Sequence, residues 1–114
     1  MRENIVVSKS FEFAIKIVEL NTCLINNKNQ FVLAKQILRS GTSVGANVKE
    51  AVNGISKADF RNKMSIALKE ANETEYWLEL IIGSKIMSKA QINVLLSECR
   101  ELCKILSSIV KNTY

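Results

Sequence analysis

The sequence predicts an all-α protein, and three observations support this fold class. The chain of 114 residues has no proline and only four glycines, so few residues interrupt helices. Leu, Ile, Ala, Lys and Glu, a helix-forming set, are abundant, whereas aromatic residues are scarce. Apolar residues recur every three or four positions in four separate segments. This length suits one domain with one hydrophobic core, covering residues 1–114.

The first helix is expected over about residues 8–26, where two apolar stripes run side by side. One stripe contains Phe11, Ala14, Ile15, Val18, Thr22 and Ile25, and the other contains Phe13, Ile17, Leu20 and Leu24. Two stripes are more than the core of one bundle requires from one helix. The polar residues 26–30 predict a turn after it.

The second helix is expected over about residues 31–53. Its apolar line consists of Ala34, Ile37, Leu38, Gly41, Val44, Val48 and Val52. Residues 40–47 contain two glycines and three hydroxyl side chains, which disfavour helix. The apolar period continues through them in phase, so we expect an unbroken or slightly bent helix whose small side chains allow a neighbouring helix to approach closely. Gly54 predicts the stop.

The third and fourth helices are expected over about residues 57–84 and 89–112, each with a capping signal at its start. Ser56 with Asp59 is a variant capping box, and Ser88 with Gln91 is a regular one. The core line of the third helix is Phe60, Met64, Ala67, Leu68, Ala71, Leu78 and Ile82, with Ile66, Trp77 and Ile81 outside it. The line of the fourth is Ile92, Leu95, Leu96, Cys99, Leu102, Cys103, Leu106, Ile109 and Val110. Short connections predict an antiparallel, up-and-down four-helix bundle.

Cysteine use and hydropathy predict a cytoplasmic protein. The three cysteines are an odd number, and Cys99 and Cys103 stand among leucines, where cysteine usually acts as a small buried hydrophobe. A zinc site is not expected, because the chain has no histidine and no CxxC motif. No apolar run is long enough for a membrane span or a signal peptide, so no membrane association is expected.

The sequence shows no catalytic machinery, so we expect a protein that is not an enzyme, with no catalytic residue, metal or cofactor. Histidine, the commonest general base, is absent. Glu75 and Glu79 share a helix face as a carboxylate pair would, but a solvated or salt-bridged face is the preferred interpretation, with Lys69 and Glu73 as an i,i+4 pair. Residues 40–45 lack the spacing of a phosphate-binding loop.

The positive charge is concentrated in the middle of the chain. Eight basic and two acidic residues lie between Lys28 and Lys69, a local charge of +6, whereas the remainder carries −1. A basic surface on the second helix and the start of the third predicts contact with phosphates. The candidate residues are Lys35, Arg39, Lys49, Lys57, Arg61 and Lys63. Ordinary solubilising charge is the alternative, since no aromatic side chains interleave with these residues as in a base-stacking surface.

Two adjoining segments resemble the motifs of a known family. Residues 39–51 read RSGTSVGANVKEA, and residues 56–60, 64–71 and 73–78 read SKADF, MSIALKEA and ETEYWL. They are similar to the bacterial four-helix 23S rRNA intervening-sequence proteins, also labelled S23 ribosomal proteins. Gly41 stands where alanine is frequent in that family, and the glycine that often follows Glu50 is missing.

The resemblance implies a homopentameric ring of up-and-down bundles, which accords with the surplus apolar stripes. Related accessory proteins of diversity-generating retroelements are similar pentamers whose basic surfaces engage nucleic acid and a reverse transcriptase. The matching motif positions, to which the resemblance gives structural roles, are Ser43, Asn47, Glu50, Asp59, Glu70, Glu73 and Glu75. We expect Asn47 and Glu50 to hydrogen-bond to the third helix, and Asp59 to cap it.

Two hypotheses for function follow. The first is a non-enzymatic homo-oligomer, expected to be a pentamer, that binds RNA or DNA through its basic surface. The second is a scaffold or adaptor that binds a partner enzyme and has no affinity for nucleic acid.

Overall fold

Four helices make up almost all of the protein in the computed structural model, which describes residues 2–113 and the side chains of residues 5–113. They are α1 (Arg2–Lys28), α2 (Phe31–Val52), α3 (Lys57–Gly83) and α4 (Lys89–Lys111). No strand occurs among these residues. The all-α prediction is therefore confirmed.

The helix bounds differ from the sequence prediction mainly at the start of α1. That helix begins at Arg2 and not near residue 8. The reason is that Val6 and Ser10 are buried and extend the inner stripe of α1 by two further turns. The predicted end of α1, at residue 26, is two residues too early, so the turn expected over residues 26–30 is confined to residues 29–30. For α2, α3 and α4 the prediction ended one residue too far, because Asn53, Ser84 and Asn112 are their C-caps.

Both predicted N-cap serines are present, but the expected cap by Asp59 is not: the bond from the Ser56 N–H to the Asp59 carboxylate that would complete the variant capping box is not formed. The Ser56 hydroxyl accepts a hydrogen bond from the Asp59 backbone N–H at 3.0 Å. At α4 the capping box is complete, since Ser88 Oγ accepts from the Gln91 N–H and Gln91 Oε1 accepts from the Ser88 N–H. Each bond satisfies a backbone donor that the first helical turn leaves without a partner.

The helices form a square in which each contacts its two neighbours, α1 packing on α2 and α4, and α3 also packing on α2 and α4. Successive helices are antiparallel, and the bundle measures 44 × 19 × 18 Å. We call the end that carries the α1–α2 turn (residues 29–30) and the α3–α4 turn (residues 84–88) the two-turn end. At the opposite end, the terminal end, α1 begins, residues 53–56 connect α2 to α3, and α4 ends.

Each helix contributes one buried line to the core. On α1 this is the stripe of Phe13, Ile17, Leu20 and Leu24. On α2 and α3 the observed lines differ from the predicted ones near the helix ends: Ala51 is buried in place of Val52, and Ile81 is fully buried although it was predicted to lie outside the line. The buried α3 residues alternate spacings of three and four, which holds one face toward the core, whereas repeated steps of four rotate away from it.

The small residues in the middle of α2 allow α1 to approach closely, as predicted, and the helix is unbroken. A Cβ atom at Gly41 would lie 2.7 Å from Cγ1 of Ile17, and one at Gly45 would lie 3.2 Å from the backbone oxygen of Ser10. On the other side of α2, the buried Thr74 hydroxyl donates to Ser40 Oγ at 2.9 Å. These contacts fix the position of α2 relative to α1 and α3.

Within the described part of the chain, no helix combines the length and the apolar character needed to cross a membrane.

Candidate nucleic-acid interface

The six basic residues predicted from the sequence do not form one patch. Lys49 and Lys63 line the same cleft beside the α2–α3 turn. Lys35, in contrast, stands 14 residues before Lys49 on α2, which is about 21 Å along the helix axis. Lys57 is exposed and Arg61 half-buried in the first turns of α3. The predicted surface is therefore divided between two regions of the bundle.

Arg39 is engaged in an ion-pair network between α2 and α3. Its guanidinium donates to Glu70 Oε2 at 3.0 Å and to Glu73 Oε2. Glu73 also accepts a hydrogen bond from Trp77 Nε1 at 3.0 Å. Because one guanidinium joins two carboxylates from successive turns of α3, Arg39 primarily links the two helices.

The cleft at the α2–α3 turn has mixed charge. Lys63 Nζ lies 3.1 Å from Glu50 Oε1, and Asp59 lines the same cleft as Lys49. A phosphate at this place would meet carboxylates as well as ammonium groups. This region is therefore a weaker anion site than its lysine count indicates.

The motif residues hold the helices in place, but not all in the expected way. Glu50 contacts α3 through an ion pair with Lys63 at 3.1 Å, at an exposed position and not inside the bundle as expected. The prediction for Asn47 is wrong, because its Nδ2 donates to the Ser43 backbone oxygen at 2.8 Å, one turn back within α2. Ser43 Oγ likewise donates to the Arg39 backbone oxygen. Such bonds to the preceding turn occupy polar side chains inside a helix.

The carboxylates of α3 bind cations of neighbouring helices. Glu75 and Glu79 accept hydrogen bonds from Arg100 of α4 at 2.9 and 3.1 Å, which confirms the salt-bridged interpretation of this pair. These bonds raise the pKa of Arg100 above its ordinary value. The expected pairing of Lys69 with Glu73 is replaced by the bond from Arg39, which reaches Glu73 from the adjacent helix.

Two further ion pairs join α1 and α4. Lys9 lies 3.0 Å from Glu101, and Lys16 lies 2.6 Å from Glu98. The hydrogen bond to Glu98 raises the pKa of Lys16 above its ordinary value. Most described carboxylates therefore lie in ion pairs across helix interfaces.

Nine exposed lysines lie outside these ion pairs in the described part of the chain. They are Lys28, Lys35, Lys49, Lys57, Lys69, Lys85, Lys89, Lys104 and Lys111. Most of them are not among the residues predicted from the sequence, because charge density along the chain does not show which lysines lack an acidic partner. These lysines are identified by assigning each carboxylate to its ion-pair partner. That assignment depends on which helices are neighbours in the bundle.

The outer face of α1 exposes a row of large apolar side chains, the outer stripe, formed by Phe11, Ile15 and Val18. Phe11 is 66% exposed, and the other two are each 48% exposed. Beside Phe11, an open groove of about 670 Å³ runs between α1 and α2, with Ala14 on one wall and Gly45 and Ala46 on the other. This row is therefore apolar surface that the single bundle does not bury.

The cysteines are free thiols with no sign of a metal site. Cys99 is buried, as predicted, and its thiol contacts the Ala71 backbone oxygen at 3.3 Å. Its hydrogen bond to Cys103 and its burial raise its pKa well above the ordinary range. The same hydrogen bond lowers the pKa of Cys103. No group of metal-ligating side chains occurs among the residues that the structure describes.

Comparison with known proteins decides the family. The model of the 23S rRNA-intervening sequence protein family matches residues 2–108. This chain belongs to that family. It is 52% identical to a protein of unknown function from the S23 ribosomal protein family of Bacteroides thetaiotaomicron, whose crystal structure superimposes with a TM-score of 0.95. The match covers 98% of this chain and 100% of the other. No curated protein matches the sequence.

Proposed function

We propose that this family member is a non-enzymatic, homo-oligomeric bundle that binds RNA or DNA through exposed lysines. The observation that carries the proposal is the division of charge: most carboxylates are held in ion pairs between helices, and nine exposed lysines lie outside those pairs. The net charge of +5 is thus presented to solvent mainly by ammonium groups. Each ammonium that meets a phosphate releases a counterion, which favours binding.

Self-association is the second part of the proposal. The outer stripe of α1 leaves Phe11 66% exposed, together with Ile15 and Val18. Burying this stripe against another copy removes apolar surface from water. A closed ring, a pentamer by analogy with the resemblance described above, would repeat the exposed lysines around its axis and increase their combined field.

The family's name connects it with intervening sequences of 23S rRNA, so RNA is the first ligand to test. The experiment is a filter-binding titration of purified protein against RNA and DNA at about 50 mM and 200 mM salt, the range over which phosphate contacts lose most of their affinity. We expect binding at the lower concentration and a steep loss at the higher one. Failure to bind either nucleic acid at low salt would contradict the proposal.

A scaffold that binds a partner protein is the second candidate, and the groove beside Phe11 favours it. The groove is lined by Val7, Phe11 and Ala14 on α1 and by Gly45 and Ala46 on α2, so an apolar helix of another protein would fit there. This function predicts that a protein co-purifies with the chain. It also predicts an A260/A280 ratio typical of protein alone, whereas nucleic-acid binding predicts a raised ratio.

Either function is proposed to operate in the cytoplasm. Cys23, Cys99 and Cys103 are free thiols, which is the usual state of cysteine in a reducing compartment.

A further inference from the structure

Three lysines that sequence analysis did not select converge at the two-turn end. Lys28 ends α1, Lys85 lies in the α3–α4 turn, and Lys89 begins α4. All three are exposed, and they line one open cleft of about 500 Å³. Lys85 and Lys89 are four residues apart, and the antiparallel packing of the bundle brings Lys28, more than 50 residues earlier in the chain, beside them.

The surroundings of this cleft contain no compensating acid nearby. No acidic residue occurs between Glu19 and Glu50 or between Glu79 and Glu98, the two segments that form this end. Glu79 is the nearest acid along α3, and its carboxylate is held by Arg100 at 3.1 Å. The helix dipoles largely cancel here, because two helices end and two begin at this end. The positive potential therefore arises from the lysine side chains.

The backbone at Lys85 is a second, independent observation. Its φ angle is +60°, in the left-handed region that glycine and asparagine occupy most readily. The matching position in the other turn at this end is of the favoured type, since Asn29 has φ +54°. Turn geometry therefore does not account for a lysine at position 85. A side chain kept in a strained conformation points to a use for that side chain.

Toward the terminal end, Lys104 and Lys111 line an open cleft on α3 and α4 that contains no carboxylate, but only these two lysines reach it. In the other cleft there, at the α2–α3 turn, Lys49 lies beside Glu50 and Asp59, and Lys63 is paired with Glu50 at 3.1 Å. An approaching phosphate would be repelled by these carboxylates as well as attracted. The two-turn end therefore differs in bringing three lysines, and no carboxylate, to one cleft.

We infer that the two-turn end, through Lys28, Lys85 and Lys89, is the surface that contacts the phosphate backbone of a bound nucleic acid. This inference rests on the proposed function and assigns its site. The contact is with phosphates and is therefore independent of base sequence. The bundle is 44 Å long, and the cleft at the two-turn end lies at the opposite end from the mixed-charge cleft of the α2–α3 turn. Binding at the two-turn end therefore leaves the mixed-charge cleft unoccupied.

The test compares two triple variants that remove the same charge. Lys28→Gln/Lys85→Gln/Lys89→Gln removes the lysines of the two-turn end. Lys57→Gln/Lys104→Gln/Lys111→Gln removes three exposed lysines from the half of the bundle nearer the terminal end. Affinity for an unstructured RNA is measured as a function of salt. Each lost phosphate contact lowers the slope of log K against log salt by about 0.7 for a single strand, so we expect a fall of up to about 2 for the first variant.

The outcomes separate the site from the function. A large loss of affinity in the two-turn variant, with little change in the matched one, supports the inference. Equal losses in both, or a larger loss in the matched variant, would overturn the site while leaving nucleic-acid binding intact. If wild-type protein binds no nucleic acid at low salt, the proposed function itself fails. Binding to anionic vesicles but not to RNA would assign the surface to a lipid and also contradict the inference.

A single substitution distinguishes a role of Lys85 in binding RNA from a role in stabilising the fold. Lys85→Gly relieves the left-handed backbone, so the melting temperature is expected to rise or stay unchanged while affinity for RNA falls. Loss of both stability and affinity would mean that Lys85 acts through the fold. Unchanged affinity would remove Lys85 from the site.

Discussion

Gly41 of α2 and Ile17 of α1 are in such close contact that a methyl group at Gly41 would overlap the isoleucine. A Cβ there would lie 2.7 Å from Cγ1 and 2.8 Å from Cγ2 of Ile17. Both γ carbons are bonded directly to the branched Cβ of Ile17. Rotation about the Cα–Cβ bond of Ile17 that moves one γ carbon away from position 41 therefore brings another substituent of Cβ toward it. The contact explains why this core helix tolerates a glycine.

We therefore expect Gly41→Ala to destabilise the protein although alanine favours helix. The gain in helix propensity is about 1 kcal/mol, and the cost of overpacking is about 1–3 kcal/mol. Urea denaturation of the variant measures the balance. Gly83→Ala is the control, because a Cβ at Gly83 meets nothing within 4 Å and the substitution should not destabilise. Equal effects at the two glycines would contradict the packing explanation.

The buried hydroxyl pair of Ser40 and Thr74 should behave as a coupled unit. Thr74→Val removes the donor to Ser40 Oγ and should lower the free energy of unfolding by about 1–2 kcal/mol. The double variant Ser40→Ala/Thr74→Val leaves no unpaired partner and should cost less than the two single effects added together. A double-mutant cycle in urea measures the coupling, and additive effects would show that the bond contributes little. Thr22→Val, at an exposed hydroxyl, is the control.

Arg39 should prove to be a structural residue. Arg39→Gln removes both bonds to Glu70 and Glu73, and we expect a loss of about 1 kcal/mol in stability, because the guanidinium is half-exposed. The fluorescence of Trp77, the single tryptophan, should change, since Glu73 also accepts from its Nε1. The salt slope of nucleic-acid binding should stay the same. A clear reduction of that slope would instead place Arg39 in contact with phosphates.

Phe11 should control assembly. Phe11→Glu places a charge in the outer stripe, and light scattering should then give a mass near the 12.8 kDa of one chain. Because Phe11 is 66% exposed in the single bundle, the circular dichroism spectrum should be unchanged. Val94→Glu, at a 67% exposed position of α4, is the matched control and should leave the assembly intact. Wild-type protein that is already monomeric would contradict the proposed self-association.

Alkylation should distinguish the two cysteines of α4. The pKa of Cys103 is lowered, whereas that of Cys99 is raised, and Cys103 is also half-buried where Cys99 is buried, so Cys103 should react with iodoacetamide faster than Cys99 at a given pH. Cys99, buried and with a raised pKa, should react only when the protein unfolds. Peptide mass spectrometry after timed labelling from pH 6 to 10 follows both. Faster labelling of Cys99 than of Cys103 in folded protein would contradict this.

The fold was largely predictable because it depends on local signals. The caps at Ser56 and Ser88 and the inner stripe of α1 are each encoded within a few neighbouring residues. The start of α1 was missed because Val6 and Ser10 belong to the core only through their contacts with other helices. Ala51 lies in the core where Val52 was predicted, because the buried face of α2 is rotated slightly from the expected one. The spacing of apolar residues in the sequence does not resolve so small a rotation.

The candidate site was much less predictable. Arg39 and Lys63 were selected for their charge, but both are paired with carboxylates that lie on the adjacent helix in space. Lys28, Lys85 and Lys89 were passed over because Lys28 is far along the chain from the other two and the three meet only in the packed bundle. Local charge density cannot show which cations lack a partner, since ion pairing is a property of the packed bundle.

The first helix begins and the last helix ends at the same end of the bundle, which has a practical consequence for experiments. α1 begins and α4 ends at the terminal end, and the bundle is 44 Å long. A fluorophore or affinity tag attached through either terminus is therefore held away from Lys28, Lys85 and Lys89. Protein immobilised by its terminus on a sensor surface would present the two-turn end to the solution, so weak binding in that format could not be attributed to blocking by the tag.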